Sequence, residues 1–243
     1  MIEIKDLHKS FGSKKVLQGV NLTINKGETI VIIGRSGCGK SVLIKHIVGL
    51  LEPDSGHVKV EGQMVSDLGE IELYEIRKKF GFLFQGSALF DSMTVEENVG
   101  LPLVESKISH SKSDIKTAVE EKLSLVGLSG NLKLKPSELS GGMKKRVALA
   151  RALITNPSYI LYDEPTTGLD PIMSDSIDNL IKDLAEKLNV TSIVVTHDMY
   201  SVKNVANKVA MMNEGIIYFT GKPEDLINSS DKVIVDFIRR TEV

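Results

Sequence analysis

The sequence predicts an α/β fold built on a parallel sheet, and three observations carry that prediction. An apolar run at residues 29–33 opens directly into a glycine-rich octapeptide at residues 34–41, and apolar residues then recur at helical spacing. Two further apolar runs, residues 160–162 and 192–195, end on Asp163 and on Thr196-His197, so polar side chains sit at the carboxyl ends of buried strands. The chain of 243 residues is long enough for one large α/β domain, or a core domain with a subdomain, and too short for two full domains.

Residues 1–33 read as β-rich, alternating at Ile2/Ile4 and Val20/Leu22/Ile24 and turning at Lys26-Gly27. The helix after the octapeptide is predicted from Leu43, Ile44, Ile47, Val48 and Leu51 and is stopped by Glu52-Pro53-Asp54-Ser55-Gly56. A strand is expected at 81–84. Between 86 and 157 the pattern turns helical, with candidates at 95–101, 114–126 and 141–154, and this stretch reads as an inserted helical subdomain. Residues 209–212 and 216–219 flank Asn213-Glu214-Gly215 as a hairpin would. A short helix starts at Pro223. In the tail, 229–243, the spacing of Val233, Ile234, Phe237 and Ile238 predicts an amphipathic helix, expected to dock on a partner subunit rather than on its own chain.

In the octapeptide Gly34-Arg35-Ser36-Gly37-Cys38-Gly39-Lys40-Ser41, glycines let backbone N–H groups converge on phosphate oxygens. Lys40 adds positive charge and the Ser41 hydroxyl suits Mg²⁺. The signal says that a nucleoside triphosphate is held. Cys38, the single cysteine, excludes an internal disulfide. It reads as a small residue tolerated in the loop, or as a thiol whose pKa Lys40 and a helix N-terminus depress.

Composition excludes other classes. With 42% hydrophobic and 26% charged residues, the apolar stretches fall far below the roughly 20 residues a membrane span needs, which predicts a soluble polypeptide. No basic region followed by an apolar one comes after Met1, so a cytosolic location is expected. A net charge of −2 and a pI of 6.2 give no bulk attraction to nucleic acid, and none is expected as a partner. The runs Arg77-Lys78-Lys79 and Lys144-Lys145-Arg146 read as solvated helix faces.

Leu139-Ser140-Gly141-Gly142 and Tyr162-Asp163-Glu164-Pro165 follow the octapeptide in an order that resembles the ATP-binding-cassette ATPase family over nearly the whole chain. The resemblance implies a P-loop NTPase with a RecA-like core, an N-terminal antiparallel β subdomain and an inserted helical subdomain at about 86–157. The ATPase domain would span 1–228 and the tail 229–243. It implies that Phe11 stacks on adenine, with Val16 beside it, and that residues Gly34 to Val42 hold the ATP phosphates. Mg²⁺ would be held by Ser41, Gln85 and Asp163. Glu164 would polarise the attacking water, with Gln85, Lys40 and His197 completing the catalytic set. Ser140, Gly141, Gly142 and Met143 would face the ATP of a second subunit, and Gly168-Leu169-Asp170 would meet that subunit, giving a head-to-tail homodimer with two ATP.

Val42 stands where a second hydroxyl often follows Ser41, and Met143 stands where Gln is most frequent. With residues 43–47, 84–95 and 139–146, these choices look like the MlaF-type ATPases that energise MCE-linked lipid transporters. That resemblance implies an MlaE-like inner-membrane permease, a periplasmic MCE lipid-binding protein and room for a STAS-domain subunit. The ATPase would then sit on the cytoplasmic face of the bacterial inner membrane. A polar-solute importer ATPase and a cell-division type mechanotransmission ATPase are the alternatives.

Overall fold

The computed structural model describes residues 1–106 and 111–241, which fall into two compact units, residues 1–78 with 191–243 and residues 79–190. The first unit begins with β1 (Ile2–Phe11), β2 (Lys14–Ile24), β3 (Thr29–Gly34), α1 (Lys40–Ile47), β4 (Ser55–Val60), β5 (Gln63–Met64) and α2 (Glu70–Lys78). The second holds β6 (Phe80–Leu83), α3 (Val95–Val104), α4 (Lys112–Leu125), α5 (Gly141–Leu153), β7 (Tyr159–Asp163) and α6 (Pro171–Leu188). The chain then returns to the first unit with β8 (Thr191–Val195), α7 (Met199–Val205), β9 (Lys208–Asn213), β10 (Ile216–Gly221), α8 (Pro223–Ile227) and α9 (Lys232–Thr241).

In the first unit, β2, β1, β4 and β5 form an antiparallel sheet in that order. A second sheet sets β3 between parallel β8 and β9, with β10 antiparallel on β9. Every residue of β3 is buried, as a β-branched run flanked by parallel strands on both sides requires. The β9–β10 turn has Glu214 at φ 49° and Gly215 at φ 78°, the two positive φ values a tight hairpin needs. No helix among the described residues is long and apolar enough to cross a membrane.

The predicted helix over 43–51 ends earlier, at Ile47. Gly49 turns left-handed (φ 66°), and Arg77 donates from Nε to Val48 O (3.0 Å) and from Nη2 to Gly49 O (2.6 Å). A residue 28 positions away thus satisfies the carbonyls that would have continued the helix. Arg77 is accordingly no solvated cation, which corrects the reading of the first basic run.

The tail also differs from expectation. Within the single chain α9 already buries Ile234 and Phe237, while Val233 and Ile238 are half-buried. Asp231 starts the helix by accepting from the amides of Val233 (2.8 Å) and Ile234 (3.2 Å), and the Tyr218 hydroxyl donates to its other oxygen (3.0 Å). The Ile234 amide, then Tyr218, hold the Asp231 carboxyl below its usual range. A short helix is marginal alone, so its own unit supplies its order. Residues 242 and 243 lie outside the described residues. Deleting 229–243 removes two buried side chains worth about 1.5–3 kcal/mol each, so thermal unfolding shifts down by several degrees and solubility falls. An unchanged melting curve would show that the helix covers nothing of its own unit.

In the second unit β6 and β7 pair in parallel, and α5 packs against α3, α4 and β6. Thr94 with Glu97 and Ser111 with Asp114 form capping boxes at α3 and α4. Asp170, Pro171 and a left-handed Asn189 delimit α6. The strand predicted to reach Phe84 stops at Leu83, and Phe84 is exposed, stacked on Phe82 at 5.6 Å.

Candidate functional site

The first unit contributes the loop between β3 and α1. Gly34 and Gly39 each turn where no side chain fits: a Cβ at Gly34 would strike Met212 O on β9, and one at Gly39 would lie 2.8 Å from Leu17 and 3.1 Å from Val16 O. Both have positive φ (152° and 112°), the backbone freedom that a phosphate-cradling loop requires. The first turn of α1 has no side-chain cap and no acidic residue, which leaves its N–H groups for an anion. Lys40 folds back over the loop, donating from Nζ to Gly34 O (2.7 Å) and Arg35 O (3.2 Å). Arg35, Ser36, Gly37 and Ser41 are exposed, and Val42 is half-buried.

Burial pushes the Cys38 thiol pKa up, against a smaller lowering by the Lys40 charge and nearby amides. The structure therefore favours the inert, space-filling reading of this cysteine over an activated thiol.

Phe11 ends β1 with its ring half in solvent (48% exposed) and the Lys9 ammonium 5.8 Å from its centroid, a platform that a base can stack on. Val16 lies beside Gly39, where its carbonyl borders the loop. His197 is exposed just past β8, the parallel neighbour of β3. Its position is pinned because Thr196 Oγ1 accepts from Asp198 N (3.0 Å) and Asp198 caps α7 through Tyr200 N (2.8 Å). The phosphate loop and His197 thus leave the same edge of one parallel sheet.

The second unit brings together Gln85, two residues past β6, and Asp163 and Glu164, the last residue of its partner strand β7 and the one after it. Glu164 takes a left-handed backbone (φ 49°), and Thr167 Oγ1 donates to its carboxylate at 3.2 Å. Lys145 Nζ donates to Gln85 O (2.5 Å) and Glu164 O (3.3 Å). Arg151 reaches Ser87 O (2.8 Å) and Ala88 O (2.7 Å), two residues also held at positive φ (61° and 48°). Burial lowers the Lys145 pKa, opposed by the negative charges of Asp163 and Glu164.

The second basic run is therefore not a solvated face either. Lys145 is buried, and Arg146 bonds to Val126 O (2.5 Å) and Ser176 Oγ (2.7 Å). The sequence did hold a signal: Lys145 falls three residues after Gly142 and four before Leu149, on a buried face of α5.

Ser140 caps α5 by accepting from Met143 N (3.3 Å), and with no acidic residue in the first turn the start of the helix keeps its attraction for an anion. A Cβ at Gly142 would push aside the Met173 methyl, the end of a flexible side chain, and one at Gly141 would lie 3.2 Å from Leu169. The residues 168–170 turn therefore packs on the turn at Ser140-Gly141, and Asp170 accepts from Met173 N (3.0 Å) as the cap of α6. Met143 is half-buried.

Each unit taken by itself offers oxygen donors of the kind Mg²⁺ accepts when phosphates and water supply most of its ligands. Ser41 presents an exposed hydroxyl in the first turn of α1, and the other oxygen donors assigned to it, Gln85 and Asp163, belong to the second unit. Among the described residues no three His, Cys, Asp or Glu side chains form a cage that would bind metal alone.

Comparison with known proteins gives a consistent set of relatives. The family model described as ABC transporter matches residues 17–167. A probable ribonucleotide transport ATP-binding protein, mkl, of Mycobacterium tuberculosis is 42% identical over 237 residues, covering 98% of this chain and 66% of that protein. The chain thus spans just under two thirds of the length of that relative. The intermembrane phospholipid transport system ATP-binding protein MlaF of Haemophilus influenzae is 42% identical over 240 residues, 98% of this chain and 90% of that protein. The methionine import ATP-binding protein MetN of Clostridium tetani is 42% identical over 243 residues, 100% of this chain and 76% of that protein. Among solved structures, a dimer of the ATP-binding cassette MJ0796 in a post-hydrolysis state with ADP and Pi superposes with a TM-score of 0.82 at 35% identity, covering 92% of this chain and 99% of that one.

Proposed function

The chain belongs to the ABC transporter family, and from that premise we propose that it is the ATP-hydrolysing subunit of a transporter that moves phospholipid between the inner and outer membranes. It would act as a homodimer on the cytoplasmic face of the inner membrane, under an MlaE-like permease that works with a periplasmic MCE lipid-binding protein and, where present, a STAS-domain subunit. The observation that carries the ATPase reading is the pair of strand-end arrangements: the glycine-wrapped loop with Lys40 and His197, and the acidic strand end with Gln85. The phospholipid relative is matched over 90% of its length, the other two over 66% and 76%, all at 42% identity.

Hydrolysis needs charge neutralised on the γ-phosphate, a water in line and a base. The loop amides, with Arg35, Ser36, Gly37, Cys38, Gly39 and Val42, bind phosphate, and Lys40 offsets its charge. Phe11 and Val16 receive the base and ribose side of ATP. Bound Mg²⁺, held by Ser41, Gln85 and Asp163, would neutralise phosphate oxygens. Glu164 accepts the proton as the water oxygen bonds to phosphorus and the bond to ADP breaks. His197 steadies the γ-phosphate. The partner's Ser140, Gly141, Gly142 and Met143 close the site through their helix N-terminus.

Residues 89–93 suit a permease contact. Buried Asn98 fixes this loop, accepting from Phe90 N (2.8 Å) and donating to the carbonyls of Phe90, Met93 and Thr94 at 3.0–3.2 Å. The Phe90 ring is nonetheless 49% exposed, with Leu89 and Met93 half-buried. A rigid loop that presents an aromatic ring to solvent has the form of an interface anchor. Phe90→Asp is expected to weaken copurification with the permease by about thirtyfold while the isolated chain folds and hydrolyses ATP. Undiminished copurification would remove this loop from the interface. Recovering the chain from solubilised membranes identifies the cargo: phospholipid and an MCE protein in the complex support the proposal, and a solute-binding protein supports an importer.

A further inference from the structure

Lys145 sits on α5 five residues beyond Ser140 and is only 4% exposed. Its ammonium spends two donors on backbone carbonyls of two different loops, those of Gln85 and Glu164. Both loops hold non-glycine residues in left-handed conformation, Ser87 and Ala88 in one and Glu164 in the other. Such residues cost about 1–3 kcal/mol each and persist only where the surroundings over-determine them. Here the over-determining groups are cations of one helix, Lys145 and, for Ser87 and Ala88, Arg151. Burying an ammonium is itself unfavourable, and the buried neighbours Ala148, Leu149 and Ala152 show what the packing alone would select.

We propose that Lys145 is a positioning residue for ATP hydrolysis: one ammonium grips the main chains of Gln85 and Glu164 and holds their side chains in a fixed mutual relation. Because it rides on the helix that starts at Ser140, movement of that helix start reaches both loops through the same atom. The inference rests on the roles proposed above for Gln85 and Glu164. The bonds go to carbonyls, so no side chain at 85 or 164 substitutes for them.

The test uses the full chain with Mg-ATP and compares Lys145→Met, Lys145→Arg and Glu164→Gln for kcat, KM and melting temperature. Lys145→Met, which keeps the length and loses the donors, is expected to lower kcat by about tenfold to a hundredfold, because small misplacements of reacting groups carry penalties of that size. KM stays within roughly twofold, since uniform nucleotide binding is untouched. The melting temperature falls by no more than a few degrees, because the relief of a buried charge offsets the two carbonyls left without their donor. Lys145→Arg recovers a measurable part of kcat. Normal kcat in Lys145→Met, or a fall that tracks a lower melting temperature without rescue by arginine, overturns the proposal. If Lys145→Met is insoluble, Lys145→Gln is read by the same criteria. Wild-type turnover in Glu164→Gln would overturn the underlying reading and this inference with it, whereas an inactive Glu164→Gln beside a normal Lys145→Met overturns the inference alone.

Discussion

Glu164→Gln is expected to cut ATP turnover by more than about a hundredfold while leaving ATP affinity near wild type, because it removes a proton acceptor and no phosphate contact. The geometry makes the substitution clean. Glutamine keeps an acceptor oxygen for the Thr167 hydroxyl, now 3.2 Å from the carboxylate, and the backbone carbonyl that receives Lys145 is unchanged. What disappears is the capacity to take a proton from water. Bound, unhydrolysed ATP then accumulates between subunits, so size exclusion with ATP should show a persistent dimer. Lys40→Ala gives the opposite pattern: it strips the ammonium from the loop carbonyls of Gly34 and Arg35 and weakens nucleotide binding itself. Nucleotide titration and hydrolysis measured on both variants separate the two roles. Wild-type hydrolysis by Glu164→Gln would take Glu164 out of the mechanism.

Ser140→Arg is expected to abolish hydrolysis although each chain still binds ATP at its own loop. Loss of the serine cap costs only about 1 kcal/mol of stability, so the chain remains folded. The large effect arises because a bulky cation sits at a helix start whose amides favour an anion. A mixture with Lys40→Ala tests whether that anion belongs to the other subunit. The mixed dimer pairs one intact loop with one intact Ser140 turn, and partial activity follows if a single composite site suffices. Normal hydrolysis by Ser140→Arg homodimers would exclude the composite arrangement.

Local pattern made much of this molecule legible. The β3 run, the glycine loop after it, the strand end at Asp163 and the hairpin around Glu214-Gly215 are set by residues within a few positions of one another. Features fixed across the chain were not legible. The end of α1 depends on Arg77, and no apolar spacing near Leu51 reveals a guanidinium arriving from α2. Lys145 and Arg146 look like surface charge in a basic run until the loops that accept their hydrogen bonds are seen. The pattern reading also places no helix at 171–188, where the spacing of Ile177, Ile181 and Leu184 marks the buried stripe of α6. For the site, the sequence supplied identities. The structure supplied the constraints, such as the left-handed backbone of Glu164 and the capping duty of Ser140.

The clash that forbids a side chain at Gly34 involves the carbonyl of Met212, a residue near the far end of the chain. On the ribosome this imposes an order. β3 emerges early, yet both its neighbours, β8 and β9, are translated only after the whole of residues 79–190. The contiguous second unit can therefore gain structure first, while β3 waits without a partner on either edge. A nascent chain stalled before β9 lacks the floor of its phosphate loop, so tight nucleotide binding waits for that strand.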